Sequence, residues 1–263
     1  MKIAVVAINK NGRRIAGIIK RGFGNRKPNH GPPACGFGRQ EVSCFNPSPG
    51  GLKDLAADIF DKEKFEGIIF IMATGIAARM IAPHLKDKYR DPAVVVVDDF
   101  SRYAISLLSG HEGGANNLAI QIANILDAEP VITTATEALK DIVIGIGCRK
   151  GIKKEAVVLG IKKALRKVKS SLARVRCLAT IDLKAREKGL CQAAQELRIP
   201  LRIISRTRIS RYQGVYAKSK FVLKKIGIEG VCEPCALLTA KRAELILPKM
   251  KLNGVTAAIA RES

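Results

Sequence analysis

The chain of 263 residues contains no tryptophan, and its aromatic residues are limited to four tyrosines and eight phenylalanines. Proteins that bind single-stranded nucleic acid by stacking need aromatic platforms, so this composition disfavours that class and we expect no nucleic-acid partner. Apolar runs of about 18 residues or more are also missing, which excludes a membrane-spanning helix.

Seven cysteines are present without a repeating spacing, and a chain of this length does not need disulfides to fold. We therefore expect a cytoplasmic protein in a reducing environment.

The amino-terminal residues 1–8 carry one charge before a short apolar run and no cleavage site follows, which predicts a first strand and not a signal peptide. Cys232 and Cys235 form a CxxC pair that lacks the two further ligands of a zinc site, so no metal centre is expected.

Positive charge is concentrated in the second half of the chain, which accounts for most of the net charge of +23. Residues 1–141 hold 18 Lys and Arg against 15 Asp and Glu, whereas residues 142–263 hold 28 against 8. Such a field attracts polyanions, whether nucleic acid, an acidic membrane or a small molecule with many carboxylates. Charge alone does not choose among these partners.

Strand and helix patterns alternate along the chain, which predicts the α/β class, with two α/β domains of mainly parallel sheet joined by a short linker. The composition shifts near residues 138–141, so we place the domains at 1–138 and 142–263. The stretch 21–51 is rich in Gly, Pro and Asn and predicts a long connection with one strand near 42–45.

The segment 108–118 has the composition of a catalytic loop, with His111 and Glu112 between glycines and a pair of asparagines after them. A predicted strand enters it and a predicted helix leaves it, the context in which α/β proteins place catalytic groups and free helix amides. The alternative interpretation is a glycine-permitted turn whose His and Glu are simply solvated.

Other predicted strand ends carry hydroxyl, acidic or basic groups. Thr74 and Gly75 open a helix that also carries Arg79, so Thr74 is a candidate cap and the helix end a candidate carboxylate site. Asp98 ends the next strand and Thr134 ends the fifth. We expect these strand ends to converge on the His111 loop, although each alone is more often a cap or a turn.

In the second half, Gly147, Cys148, Arg149 and Lys150 lie in a GxGxxxG turn between a strand and a helix. The turn predicts a cradle for a carboxylate or phosphate, with a purely structural turn as the alternative. Because no histidine occurs in this half to serve as a base, we expect Cys148 to be packed or ligand-facing and not a nucleophile. Glu233, at the start of a predicted helix, is a further candidate for binding a ligand.

Two ordered sets of motifs resemble the CbiG family of cobalamin biosynthesis. The first half is similar to the family's N-terminal domain through residues 72–79, 94–99, 108–117 and 130–136. The second half is similar to its C-terminal domain, also found alone as CobE, through residues 145–151, 179–184, 199–201, 230–236 and 253–261. Many members carry a middle domain, for which the few residues between Thr136 and Ile142 leave no room.

The resemblance implies a cobalt-precorrin-5A hydrolase, which opens the δ-lactone of a ring-contracted cobalt corrinoid and releases acetaldehyde. It implies an anionic corrinoid as substrate and partner, cobalt carried by that substrate, and no cofactor of the protein's own. Neighbouring pathway enzymes and a homo-oligomer are further possible partners. The alternative is a corrinoid-binding or carrier protein without turnover.

On this hypothesis the catalytic residues are His111 and Glu112, as base and proton shuttle in either order, and Asn116 as an oxyanion donor, with Asn117 and loop amides as other donors. The residues expected to bind substrate are Thr74, Gly75, Arg79, Asp98, Ser109, Gly110, Gly113, Asn117, Thr134, Gly147, Cys148, Arg149, Lys150, Glu233 and Asn253.

Overall fold

The computed structural model of the chain describes residues 1–24, 40–62 and 65–263. Its backbone divides into two units, Met1–Thr134 and Ala135–Ser263, each with a sheet of its own. The connection predicted at 21–51 lies partly outside the described residues, but its predicted strand is present at Glu41–Phe45. Among the described helices, none has the length and apolar character needed to cross a bilayer.

The first unit alternates strands and helices as the sequence pattern predicts. Its strands are β1 (Lys2–Ala7), β2 (Glu41–Phe45), β3 (Gly67–Ile71), β4 (Ala93–Val97), β5 (Tyr103–Leu108) and β6 (Glu129–Val131). Its helices are α1 (Lys10–Phe23), α2 (Leu52–Ala57), which continues as a π-helical turn to Lys62, α3 (Thr74–Ile81), which continues as a 3-10 turn to His84, and α4 (Ala115–Leu126).

Both faces of this sheet are covered, which is why its central strands are continuous apolar runs. Alternate side chains of β1 point to opposite faces: Ile3 and Val5 pack with α1 and α4, whereas Ala4 and Val6 pack on the side of α3. The strands β3 and β4 are buried along their whole length in the same way.

The direction of β5 determines how this unit presents its loops. The strand order is β2-β1-β3-β4-β5-β6, in which β1 to β4 are mutually parallel, β5 is antiparallel to β4, and β6 is parallel to β5. Only residues 98–102 separate β4 from β5. A connection this short permits an antiparallel pair, because a parallel crossover needs a dozen residues or more.

The second unit contains the strands β7 (Ile142–Cys148), β8 (Val175–Ile181), β9 (Leu201–Ile204), β10 (Ala243–Leu252) and β11 (Val255–Glu262). Its helices are α5 (Ala135–Ala138), α6 (Lys154–Lys167), α7 (Lys188–Glu196), α8 (Arg206–Ser210), α9 (Lys220–Ile226) and α10 (Cys232–Thr239), with 3-10 turns at Leu172–Arg174 and Asp182–Lys184.

The five strands of this sheet are ordered β10-β11-β7-β8-β9, with β7 to β9 mutually parallel, β11 antiparallel to β7, and β10 antiparallel to β11. Helix α10 packs directly on β7, where a Cβ atom on Gly145 would overlap the carbonyl oxygen of Cys232. Glycine at 145 is therefore required for this close approach. The two α/β sheets confirm the predicted fold class.

Candidate functional site

The loop between β5 and α4 is a tightly built turn that leaves His111 and Glu112 exposed. Ser109 and Gly114 take left-handed backbone conformations, with φ of 54° and 85°. The N–H groups of Ala115 and Asn116 donate to the carbonyls of Ser109 and Gly110 over 3.2 and 3.0 Å. The first amides of α4 are therefore occupied by the loop itself.

Glycines in this loop are required by close packing. A Cβ atom at Gly110 would lie 2.8 Å from both Asn116 Oδ1 and Thr134 Cγ2, and one at Gly113 would overlap Ser109 Cβ. Ser109 is buried, and its hydroxyl donates to the carbonyl of Asp91 over 3.0 Å. The predicted residues Ser109, Gly110 and Gly113 thus build the loop.

Asn116, predicted as an oxyanion donor, is buried and bonded inside the unit. Its Oδ1 accepts from Ser106 Oγ over 2.8 Å, and its Nδ2 donates to Thr134 Oγ1 over 3.0 Å. The carboxamide therefore connects β5, α4 and the segment after β6. Its neighbour Asn117 is exposed on the first turn of α4.

Glu112 has a cationic partner that comes from the connection between α3 and β4. The Nζ atom of Lys88 lies 3.3 Å from Glu112 Oε1. The pKa of the Glu112 carboxyl is lowered mainly by a hydrogen bond from its own backbone N–H, and to a smaller extent by the Lys88 ammonium. Glu112 is therefore held as a carboxylate, and a lowered pKa makes it a weaker general base.

The predicted convergence of strand ends on this loop is wrong for β3 and β4. Because β5 is antiparallel, Val97 pairs with Ala104 at one edge of the sheet, and Val94 pairs with Leu108 at the other. The His111 loop follows Leu108, so a full strand length, about 17 Å, separates it from the ends of β3 and β4. Thr134 is the predicted strand-end residue that does join the loop.

Thr74, Gly75, Arg79 and Asp98 therefore lie at the opposite edge of the sheet from His111. The cap of α3 is Ala73, without a side-chain hydrogen bond, so Thr74 is the first helical residue and the predicted Thr74 cap is wrong. The Arg79 guanidinium is exposed and points back toward the carbonyl of Gly75, at 3.5 Å.

Asp98 organises the turn between β4 and β5. Its carboxylate accepts from the N–H groups of Arg102 and Tyr103 over 2.7 and 2.8 Å, and from Arg102 Nε over 3.0 Å. Burial by itself would raise the pKa of Asp98, but these hydrogen bonds, together with a longer one from Phe100 N–H, outweigh it and lower the pKa. The oxygens of Asp98 are thus engaged by its own turn.

In the second unit, the loop after β7 adjoins the β10–β11 hairpin. The N–H of Arg149 donates to the carbonyl of Gly254 over 2.9 Å, and the N–H of Gly151 donates to Glu187 Oε1 over 2.9 Å. These amides are occupied, so they do not form the open cradle that the glycine spacing predicts. The side chains of Arg149, Lys150 and Asn253 are exposed around this loop.

Gly147 and Cys148 lie deeper in the same loop. The Gly147 carbonyl accepts from the hydroxyl of Thr256 over 3.2 Å. Burial raises the pKa of the Cys148 thiol to about 11, which keeps it protonated. This agrees with the expectation that Cys148 is not a nucleophile.

Glu233 is an internal anchor, contrary to its predicted role in binding substrate. Its side chain is 2% exposed, Oε1 accepts from the N–H of Lys249 over 2.6 Å, and Oε2 accepts from the N–H of Ala217. Both oxygens are therefore used within the unit.

Burial also raises the pKa values of Cys232, to about 11, and of Cys235. No group of three or more metal-ligating side chains occurs in the part of the chain that the structure describes.

Comparison with known protein families finds a match for each half of the chain. The family model described as Cobalamin synthesis G N-terminal matches residues 54–137, and Cobalamin synthesis G C-terminus matches residues 142–260. The chain is 30% identical to the probable cobalt-precorrin-5A hydrolase of Methanocaldococcus jannaschii, with the whole of both chains covered. This chain belongs to the CbiG family.

The chain is also similar to other proteins of cobalamin biosynthesis. The CbiG chain is 27% identical to the cobalt-precorrin-5A hydrolase of Priestia megaterium, covering 98% of this chain and 94% of the relative. The crystal structure of CobE, a protein from the cobalamin biosynthetic pathway, is 30% identical over 46% of this chain and 90% of its own, with a TM-score of 0.44. The alignment with the M. jannaschii protein extends over 345 positions, so that relative has residues without a counterpart in this CbiG chain.

Sequence reasoning missed Lys88 as part of the His111 loop of the CbiG chain. Lys88 and Glu112 are 24 residues apart, and no local pattern connects them. One signal was available in the length of the 98–102 connection, which implies that β5 reverses direction and ends beside the beginning of β4. The segment that leads into β4 then becomes the neighbour of the loop that follows β5.

Proposed function

We propose that this chain is a cobalt-precorrin-5A hydrolase, which opens the δ-lactone of a cobalt corrinoid and releases acetaldehyde. The observation that carries the proposal is the end-to-end match to the M. jannaschii relative, supported by family models on both halves. The two family models match residues 54–137 and 142–260, so only residues 138–141 lie between the two matched segments of this chain.

We place the chemistry at the loop that carries His111 and Glu112. Lactone opening needs a base to take a proton from the attacking water, and both side chains are exposed on the turn between β5 and α4. The lowered pKa of Glu112 favours His111 as the base, because imidazole is the side chain suited to proton transfer near neutral pH. Glu112 then orients water or the imidazole, and in the later loss of acetaldehyde it takes the proton of the freed hydroxyl as the C–C bond breaks and returns that proton to the ring carbon.

We assign binding of the substrate's carboxylates to the second unit. Its 28 Lys and Arg against 8 Asp and Glu in residues 142–263 make it strongly basic. Arg149 and Lys150 present exposed cations at the carboxyl end of β7. A macrocycle with acetate and propionate groups on its rim offers matching anions.

The remaining expectations about the protein's environment are part of this proposal. The cobalt is supplied by the substrate, and the protein needs no cofactor of its own. Cys44, Cys148, Cys177, Cys232 and Cys235 are free thiols, whereas Cys191 is disulfide-bonded, contrary to the expectation of a chain without disulfides. We keep a cytoplasmic location as part of the proposal. Association with neighbouring pathway enzymes or with a second copy of the chain is expected to assist transfer of the corrinoid.

The decisive experiment is to incubate the purified chain with cobalt-precorrin-5A and measure acetaldehyde. We expect acetaldehyde to form, and to be strongly reduced in a variant that combines His111→Ala with Glu112→Gln. Tight corrinoid binding without acetaldehyde would instead identify a carrier protein.

A gel-shift titration with DNA and RNA at increasing salt tests the nucleic-acid alternative, for which we expect only weak, salt-sensitive binding.

A further inference from the structure

Hydrolysis at the His111 loop requires a group that stabilises the oxyanion formed on the lactone carbonyl. Asn116, the expected oxyanion donor, and the first amides of α4 are engaged elsewhere, whereas the side chain of Asn117 is exposed on the first turn of α4. The N–H groups of Ala115 and Asn116 donate to loop carbonyls, and the side-chain amide of Asn116 donates to Thr134. A positive group at this edge of the sheet would supply the stabilisation that these engaged groups do not.

Lys88 is held against the loop by hydrogen bonds of its own segment. Both carboxylate oxygens of Asp91 accept from the N–H of Lys86, over 3.0 and 3.2 Å, and the Asp91 carbonyl accepts from the hydroxyl of Ser109 in the loop. The Lys88 ammonium then lies 3.3 Å from Glu112 Oε1 and 4.9 Å from the centre of the Tyr89 ring.

The same ammonium is accessible to a ligand. The Lys88 side chain is 60% exposed and that of Glu112 is 33% exposed. An ammonium group has three N–H donors, and the contact with Glu112 uses one of them. An exposed ion pair of this kind is weak enough to rearrange when a stronger anion arrives.

We propose that Lys88 is a further catalytic residue of the hydrolase proposed above, and that its ammonium stabilises the oxyanion that forms at the His111 loop. The inference rests on the proposed function. Water adds to the lactone carbonyl carbon and passes its proton to His111. The oxyanion then collapses, the ring C–O bond breaks, and the leaving oxygen takes the proton back. The new carboxylic acid releases its remaining proton to solvent, and the resulting carboxylate pairs with Lys88.

The ionisation of Lys88 suits this role. The pKa of Lys88 is raised mainly by hydrogen bonding to Tyr89 and then by the contact with Glu112, so the side chain stays protonated.

Arg90, on the same connection, pairs with Asp87, with 3.3 Å between Nε and Oδ2. Lys86 contributes its backbone N–H to Asp91, and it therefore offers a control of equal charge two residues away.

The kinetic test compares Lys88→Met, Lys88→Arg and Lys86→Met by acetaldehyde release from cobalt-precorrin-5A. We expect kcat of Lys88→Met to fall by about 10²-fold with KM little changed, as for loss of one oxyanion donor. Lys88→Arg should keep part of the activity, and Lys86→Met should match the wild type. An unchanged kcat in Lys88→Met, or a change confined to KM, would overturn the assignment.

A second measurement separates failure of this inference from failure of the proposed function. Titration of Glu112 by NMR should show a higher pKa in Lys88→Met than in the wild type, because the nearby ammonium is gone, and no change in Lys86→Met. Equal values in all three proteins would show that Lys88 is not at the loop, even if the wild type is active. If the wild type and Lys86→Met both release no acetaldehyde, the proposed function itself fails, and the catalytic assignment fails with it. Thermal unfolding curves check that each variant is folded.

Discussion

The side-chain amide of Asn116 donates to the hydroxyl of Thr134 over 3.0 Å and so joins the first turn of α4 to the segment that follows β6. The other end of the same carboxamide accepts from Ser106 on β5. One buried side chain therefore holds together three elements around the His111 loop. A residue expected to stabilise a transition state instead stabilises the loop that carries the proposed catalytic pair.

Asn116→Ala should destabilise the first unit by about 1–3 kcal/mol, because the hydroxyls of Ser106 and Thr134 lose their buried partner. Urea unfolding at neutral pH measures this change. Asn117→Ala provides the matched control, since it removes the same side chain from the neighbouring, exposed position and should change stability little. Equal stabilities of the two variants would contradict the anchoring role.

His111→Ala and Glu112→Gln should each lower the turnover of cobalt-precorrin-5A by about 10²-fold or more, because each removes a proton-transfer or orienting group. Binding of the corrinoid should change little, since both side chains lie on an exposed turn. Steady-state acetaldehyde release and a separate binding titration measure the two effects. Lys53→Met, at an exposed position on α2, serves as the control. Near-normal turnover in both loop variants would remove this loop from catalysis.

Asp98→Ala should destabilise the first unit at neutral pH by about 1–3 kcal/mol, because the N–H groups of Arg102 and Tyr103 lose their acceptor. The folded pKa of Asp98 lies below its ordinary value of 3.8, so its contribution is present above that value and is lost as the pH falls through the folded pKa. Denaturant unfolding at neutral pH and below about pH 3 should show a difference between variant and wild type that shrinks with acid. A difference independent of pH would show that the lowered pKa does not support the turn.

Arg149→Ala should weaken corrinoid binding roughly fivefold at low salt, the effect of losing one exposed ionic contact. Cobyrinic acid, a cobalt corrinoid with free rim carboxylates, is a suitable probe in a fluorescence or calorimetric titration. Lys162→Ala removes one positive charge from an exposed position on α6 and separates a local contact from a general field effect. Identical affinities in wild type and Arg149→Ala at low salt would exclude Arg149 from the binding surface.

Local patterns were sufficient to predict most of the strands and several properties of the site. Runs such as residues 93–97 and 142–148 become buried strands because their side chains cannot be solvated without cost. The glycines at 110 and 113 mark a turn in which a Cβ atom would collide with neighbouring residues. The excess of positive charge in residues 142–263 is likewise a property of composition alone.

The side chains that surround the His111 loop could not be predicted from local patterns. Lys88 meets Glu112 because β5 runs antiparallel to β4, and Glu233 is buried because two distant backbone segments donate to it. Likewise, Asp98 and Thr74 were expected beside His111, but the reversal of β5 carries the loop to the other edge of the sheet.

The sequence by itself determined the α/β elements, the basic second half, the glycine-built turn and the family resemblance, since each depends on residues close together in the chain or on composition. Tertiary structure alone decided which polar groups form hydrogen bonds within the protein and which cation reaches the loop, whereas the reversal of β5 is indicated by the short 98–102 connection. The physical reason is that strand direction and side-chain partnership depend on the packing of segments far apart in sequence, and periodicity carries no information about that packing.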